Sequence, residues 1–337
     1  MQILLKLIFS FFIFHNLIAS ANAKPREKIV CVYTDGSQEL KQAPQLERIP
    51  AKFRQNAKCG PEEIFKNQIL AKPEEINLSG NIREEKINSS IGVVHIKWQR
   101  KVESLFGRTP LRAMADAANT VARTLKNPAF PKELQSLNIP WEIIFLDENL
   151  ADYKIPFQLV SNCHPGWMTP PTNIYIVAQR VAGGCGGQTS SSSVADSTLT
   201  EVLIHEMGHA IEYQLLKEHN NFERARAEGF ATWFERYSAQ NSSILSKTSI
   251  ESKHFAAAKY AIKKSPEKFD FQGSYEDYMR ASMIFSAIEG VKGVQGVIDI
   301  YLRMNRDNLK IIDAISLVLN WNQERINSEI NNILKRY

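Results

Sequence analysis

The stretch LTEVLIHEMGHAIEY, residues 199–213, limits what this chain can fold into more than any other part of it. Its apolar residues recur at helical spacing, and Asp196 or Ser197 stands where an N-cap is wanted, so the pattern predicts a long helix running to about Lys217. Positions i and i+4 of a helix share a face, which lets His205 and His209 direct imidazole nitrogens at one ion, each at roughly 2.0–2.1 Å. Glu206, one residue along, projects beside that ion, where a carboxylate can hold a water molecule and accept its proton.

The pentapeptide HEMGH alone is a weak warrant, since a shuffled chain of this composition would contain the HExxH pattern roughly once in 100 trials. A catalytic zinc site also needs a third protein ligand and an open position. RARAEGFATWFERY supplies Glu228, with 18 residues between it and His209. That length is enough to end one helix, turn, and bring a second helix, expected over 222–239, back past the ion. Gly208 and Gly229 flank the candidate ligands. A helical glycine costs up to about 1 kcal/mol relative to alanine, so two of them here point to close helix approach or to room for substrate.

HEMGH, the 18-residue spacer and EGFATWFE together resemble the gluzincin metallopeptidases, specifically the aminopeptidase N type with its HExxH and NEGFA. They are also similar to exported bacterial peptidase-like domains carrying HE..HA and EG.ATW.E. Ala227 replaces the asparagine of NEGFA. The close match spans residues 201–235, and a looser match of layout spans 91–337. The resemblance implies that His205, His209 and Glu228 are ligands to one Zn2+ per chain, with Glu206 as general base and proton shuttle. It also implies a tyrosine donating to the oxyanion, and Tyr278 in YMRASMIFSAIEG is the candidate, with Tyr275 one turn away as the runner-up. The GAMEN segment that grips a substrate's amino terminus is absent; TNIYIVAQRVAGG stands in its place, so an aminopeptidase activity is not implied. An edge strand over 174–178 would still offer backbone hydrogen bonds to an extended peptide.

Other candidates carry less. His164, in NCHPGWMTPP, and His219, near the expected end of the long helix, read as structural or surface positions. Glu235, two turns beyond Glu228, is either a partner that orients a ligand imidazole or a surface partner of Arg224 or Arg236.

Residues 1–23 have the three-part layout of a secretory signal peptide: Lys6, the apolar run 7–18, and the small-residue tail ASANA. The run is short of the roughly 20 residues that span a bilayer, so stable membrane insertion after cleavage is not expected. An exported chain meets an oxidising compartment, and the even set Cys31, Cys59, Cys163 and Cys185 is expected to pair locally as Cys31 with Cys59 and Cys163 with Cys185. The net charge of +5 is too mild and too evenly spread to argue for a nucleic-acid partner, and none is expected.

The expected organisation follows from these patterns. Residues 24–90, punctuated by prolines, read as an irregular N-terminal region. Strands are expected over 91–98, 141–147 and 173–179, a helix over 108–126, a flexible loop in AGGCGGQTSSSSVADST, and helices from 222 onward. The fold class is therefore α+β. The resemblance implies a zincin-like catalytic domain over 91–337, with a mixed lobe over 91–218, a helical lobe over 219–337, and the active site at their junction. The function expected is an exported zinc peptidase, periplasmic or secreted, acting on a peptide or protein. The alternatives are a non-catalytic binding or accessory protein on the same fold, and a zinc hydrolase of a non-peptide amide.

Overall fold

The computed structural model describes residues 29–33, 38–41, 57–61, 82–99, 102–106, 109–146, 165–183, 194–217, 223–265, 271 and 273–337. The signal-peptide reading, Cys163, Cys185, His164, His219 and most of the glycine- and serine-rich loop lie outside them. The chain divides into two units, one of residues 1–76 with 154–162 and the other of residues 77–153 with 163–337.

In the first unit β1 (Ile29–Tyr33) is the middle strand of a three-stranded antiparallel sheet, flanked by β2 (Gln38–Lys41) and β3 (Ala57–Pro61). The register sets Cys31 directly opposite Cys59. Residues 24–90 are thus not irregular throughout: they hold this sheet and also β4 (Ile82–Ser89), which belongs to the second unit. These strands lack a clean apolar alternation, and partner strands rather than local pattern define them.

The second unit is mixed α+β. Its sheet has the order β4, β5 (Gly92–Gln99), β6 (Trp141–Leu146), β8 (Asn173–Val177), β7 (Gly166–Thr169). The three inner strands are parallel and the two outer ones antiparallel to them. The strand expected at an edge, 174–178, is therefore internal. β7 holds the end of the sheet, in a four-residue run before Pro170 and Pro171 too short to read from sequence. Gly92, at φ 120°, closes the β4–β5 turn where a Cβ would meet the Ile139 carbonyl, so only glycine fits.

Short α1 (Glu103–Phe106) and the 17-residue α2 (Thr109–Leu125) follow β5; α3 (Lys132–Gln135) precedes β6, and α4 (Ala178–Gly183) follows β8. Val94, Ile96, Ile143, Phe145, Ile174 and Ile176 cover one face of the sheet. They share a core with Met114 and Val121 of α2 and with Leu203, Met207 and Ile211 of α5 (Asp196–Leu216). α5 is buried on nearly every side because it lies between the sheet and the remaining helices. Its N-cap is Ala195, without a side-chain cap, so Asp196 begins the first turn, where its charge favours the helix dipole.

Next come α6 (Arg224–Ser238), α7 (Lys247–Lys264), α8 (Tyr275–Asp307), α9 (Ile311–Leu319) and α10 (Gln323–Leu334). α8 starts from a capping box of Ser274 and Asp277 and breaks at Gly293, where φ is 67°. No helix among the described residues is long and apolar enough to cross a membrane.

Candidate metal centre

α5 presents His205 and His209 one turn apart, their rings edge to face with centroids 5.0 Å apart. α6 crosses this face antiparallel, because His209 meets Glu228 while His205, a turn earlier, meets both Glu228 and Glu235. Glycine permits close approach on both sides of α6, to α5 and to α8. A Cβ on Gly208 would lie 3.1 Å from Ala231 Cα, and one on Gly229 would lie 2.7 Å from the Ala281 carbonyl oxygen on α8. The glycines beside the candidate ligands thus serve close helix approach.

Glu228 Oε2 stands 3.4 Å from His205 Nε2 and 3.2 Å from His209 Nε2. One ligand atom from each of the three lies within 4.8 Å of the others. Donors held tetrahedrally about 2.0–2.1 Å from a zinc ion are about 3.3–3.4 Å apart, so the spacing fits such an ion. All three side chains are mostly buried, at 14–17% exposure.

The electrostatics of this pocket demand positive charge. Burial disfavours the charged forms of His205 and His209, yet the carboxylates around them prevail and hold both imidazoles above their usual range, His205 well above it. Burial likewise opposes the Glu228 carboxylate, but the two histidines hold its pKa well below the ordinary value. Glu206 is different: burial pushes its carboxyl up to about 7, against the pull of His209 and His205. Its Oε2 is buried with no hydrogen-bond partner, and a buried polar atom so left calls for an explanation. A Cβ on Gly166 of β7 would come 3.1 Å from Glu206 Oε1, so the end strand runs beside the candidate base.

The two tyrosines separate. Tyr278 places its ring 5.9 Å from that of His205; burial, then the Glu228 charge, holds its phenol well above the usual range, neutral and able to donate. Tyr275 is 43% exposed and stands against His254 instead. Arg224, one turn before Glu228, joins the site unforeseen. It hydrogen-bonds Tyr278, lies 3.9 Å from Glu228 Oε1 and covers the Phe271 ring. Gly273, at φ 83°, leaves room for its guanidinium, which a Cβ there would approach to 2.9 Å.

Glu235 is buried, and its Oε2 lies 3.3 Å from His205 Nδ1. Of the two partners open from sequence, the geometry selects the His205 imidazole over a surface arginine. Arg236 is itself buried, donating to Ser282 and Ser286, and Arg224 turns to Tyr278. Beyond Glu235 stands His254 of α7, buried, in a stretch, ESKHFAAAKY, with no motif to mark it. Only its lone histidine on an otherwise small and basic helix was available as a signal.

The chain matches no protein-family model and no curated protein.

Proposed function

We propose that this chain is a zinc-dependent peptidase of gluzincin type, exported from the cytoplasm, with one zinc ion held by His205, His209 and Glu228. The observation that carries the reading is the 3.2 and 3.4 Å spacing of donors beside a buried carboxyl oxygen with no partner on Glu206. Two imidazoles and a carboxylate are the donor set of an open catalytic zinc site. In this reading the mixed lobe and the helical lobe are those of a zincin, and their junction is the α5–α6 face.

Held by His205, His209 and Glu228, a zinc ion would supply Lewis acidity toward a carbonyl and lower the pKa of water toward neutrality. The chain's own groups supply the rest. Glu206 takes a proton from the attacking water and delivers it to the departing amine as the carbon–nitrogen bond breaks. The neutral Tyr278 phenol, polarised by Arg224, donates a hydrogen bond to the developing oxyanion, an interaction worth up to about 3–4 kcal/mol in the transition state. Glu235 accepts from the Nδ1–H of His205 and thereby leaves Nε2 free to ligate. β7, the end strand beside Glu206, is the place where an extended peptide pairs by backbone hydrogen bonds.

The test is digestion of a peptide library by zinc-loaded protein and by Glu206→Gln. Cleavage by the native chain alone, with equal zinc in both, is the expected result. A zinc-loaded native chain that leaves peptides intact while binding them would favour the accessory-protein reading, and cleavage of other amides alone the non-peptide one.

A further inference from the structure

Next to the first centre a second group of side chains converges. Glu201 of α5, Glu235 of α6 and His254 of α7 bring one ligand atom each within 4.8 Å of one another. His254 Nε2 is 3.4 Å from Glu235 Oε1 and 3.8 Å from Glu201 Oε1. Both separations fall near the spacing of donors around a shared ion about 2.0–2.2 Å away. Glu235 Oε1 is buried, points into this space and has no hydrogen-bond partner. A buried carboxylate oxygen left so is costly, and its sister Oε2 is committed to His205. Glu235 Oε1 thus sits at the centre of the group without a hydrogen-bond partner.

We propose that Glu201, Glu235 and His254 form a second divalent-cation site, adjoining the first through the two oxygens of Glu235. One imidazole and two carboxylates suit a borderline transition cation such as zinc or manganese rather than calcium, which prefers an all-oxygen shell. Lys253 bonds Glu201 Oε1 at 2.5 Å and is half exposed, so its ammonium is a stand-in charge that can swing to solvent when the cation enters. Three helices each supply one ligand, and the ion clamps α7 onto the α5–α6 pair while holding Glu235 against His205. This site depends on residues other than the three of the proposed catalytic centre, so the two stand or fall separately.

The experiment is a metal count. Protein stripped with chelator is equilibrated with excess zinc, desalted and analysed by plasma mass spectrometry, alongside His254→Gln, Glu201→Ala and His209→Ala. Two ions per native chain and one in each variant is the expected result. One ion in the native chain, kept in His254→Gln and Glu201→Ala but lost in His209→Ala, overturns the second site and leaves the first. One ion lost in His254→Gln and kept in His209→Ala upholds the second and removes the first. A native count of two unchanged in His254→Gln and Glu201→Ala, or a count of zero, also overturns the proposal. Circular dichroism checks folding, and if His254→Gln does not fold, the less buried Glu201→Ala decides.

Discussion

Glu235 and His205, thirty residues apart in sequence, meet at 3.3 Å through Oε2 and Nδ1. The contact sets which nitrogen of the imidazole faces Glu228. Replacing the carboxylate by an amide, Glu235→Gln, keeps the shape and weakens the acceptor. Zinc affinity at this centre is expected to fall about 10–100-fold, read by competition with a chromophoric chelator.

Zinc binding should stabilise the folded chain, because an unfolded chain has no preformed ligand set. At free zinc one hundredfold above Kd the gain is about 2.7 kcal/mol, seen as a rise of several degrees in Tm. In Glu228→Ala this gain is expected to shrink sharply. An undiminished rise in that variant would remove Glu228 from the ligands.

Tyr278→Phe should lower kcat about 10²–10³-fold with zinc content unchanged. Tyr275→Phe, whose ring faces His254 and Lys253, should leave kcat within about twofold. The opposite order of effects would transfer the oxyanion role to Tyr275.

Gly229→Ala forces a methyl into the Ala281 carbonyl of α8 at 2.7 Å and should cost about 1–3 kcal/mol, whereas its helix propensity alone predicts a gain. Gly208→Ala, whose nearest neighbour is at 3.1 Å, should cost less. Urea midpoints at constant m check both.

Alkaline pH should weaken the fold through Tyr301. Burial, reinforced by the Glu212 carboxylate, raises this phenol well above its usual pKa, and it donates to Glu212 Oε1 at 2.6 Å. A group raised on folding contributes stability that is complete below its unfolded value, about 10, and is lost as pH climbs above it. Tyr301→Phe should flatten that alkaline decline and cost about 1–3 kcal/mol at neutral pH, where the buried Glu212 loses a donor. Chemical denaturation at pH 7 and pH 10.5 separates the two effects.

Much of the candidate centre's arrangement was legible because helices convert spacing into direction. His205, Glu206 and His209 needed only the 3.6-residue turn, and Glu228 needed a second helix within reach. α2, β6 and the helices from α6 onward followed from apolar periodicity and strand-length β-branched runs for the same local reason. What failed was non-local: β4 and β7 are strands because a neighbour pairs with them, and 174–178 lost its edge position to a four-residue run with no strand pattern of its own. The surroundings of the centre belong to tertiary structure for the same cause. Whether Glu235 faced water or His205, whether Tyr275 or Tyr278 stood by the histidines, and that Arg224 and His254 belonged there at all depended on how α5, α6, α7 and α8 rotate against one another. Glycine contacts and buried packing decide that rotation, and no spacing within a single helix records it.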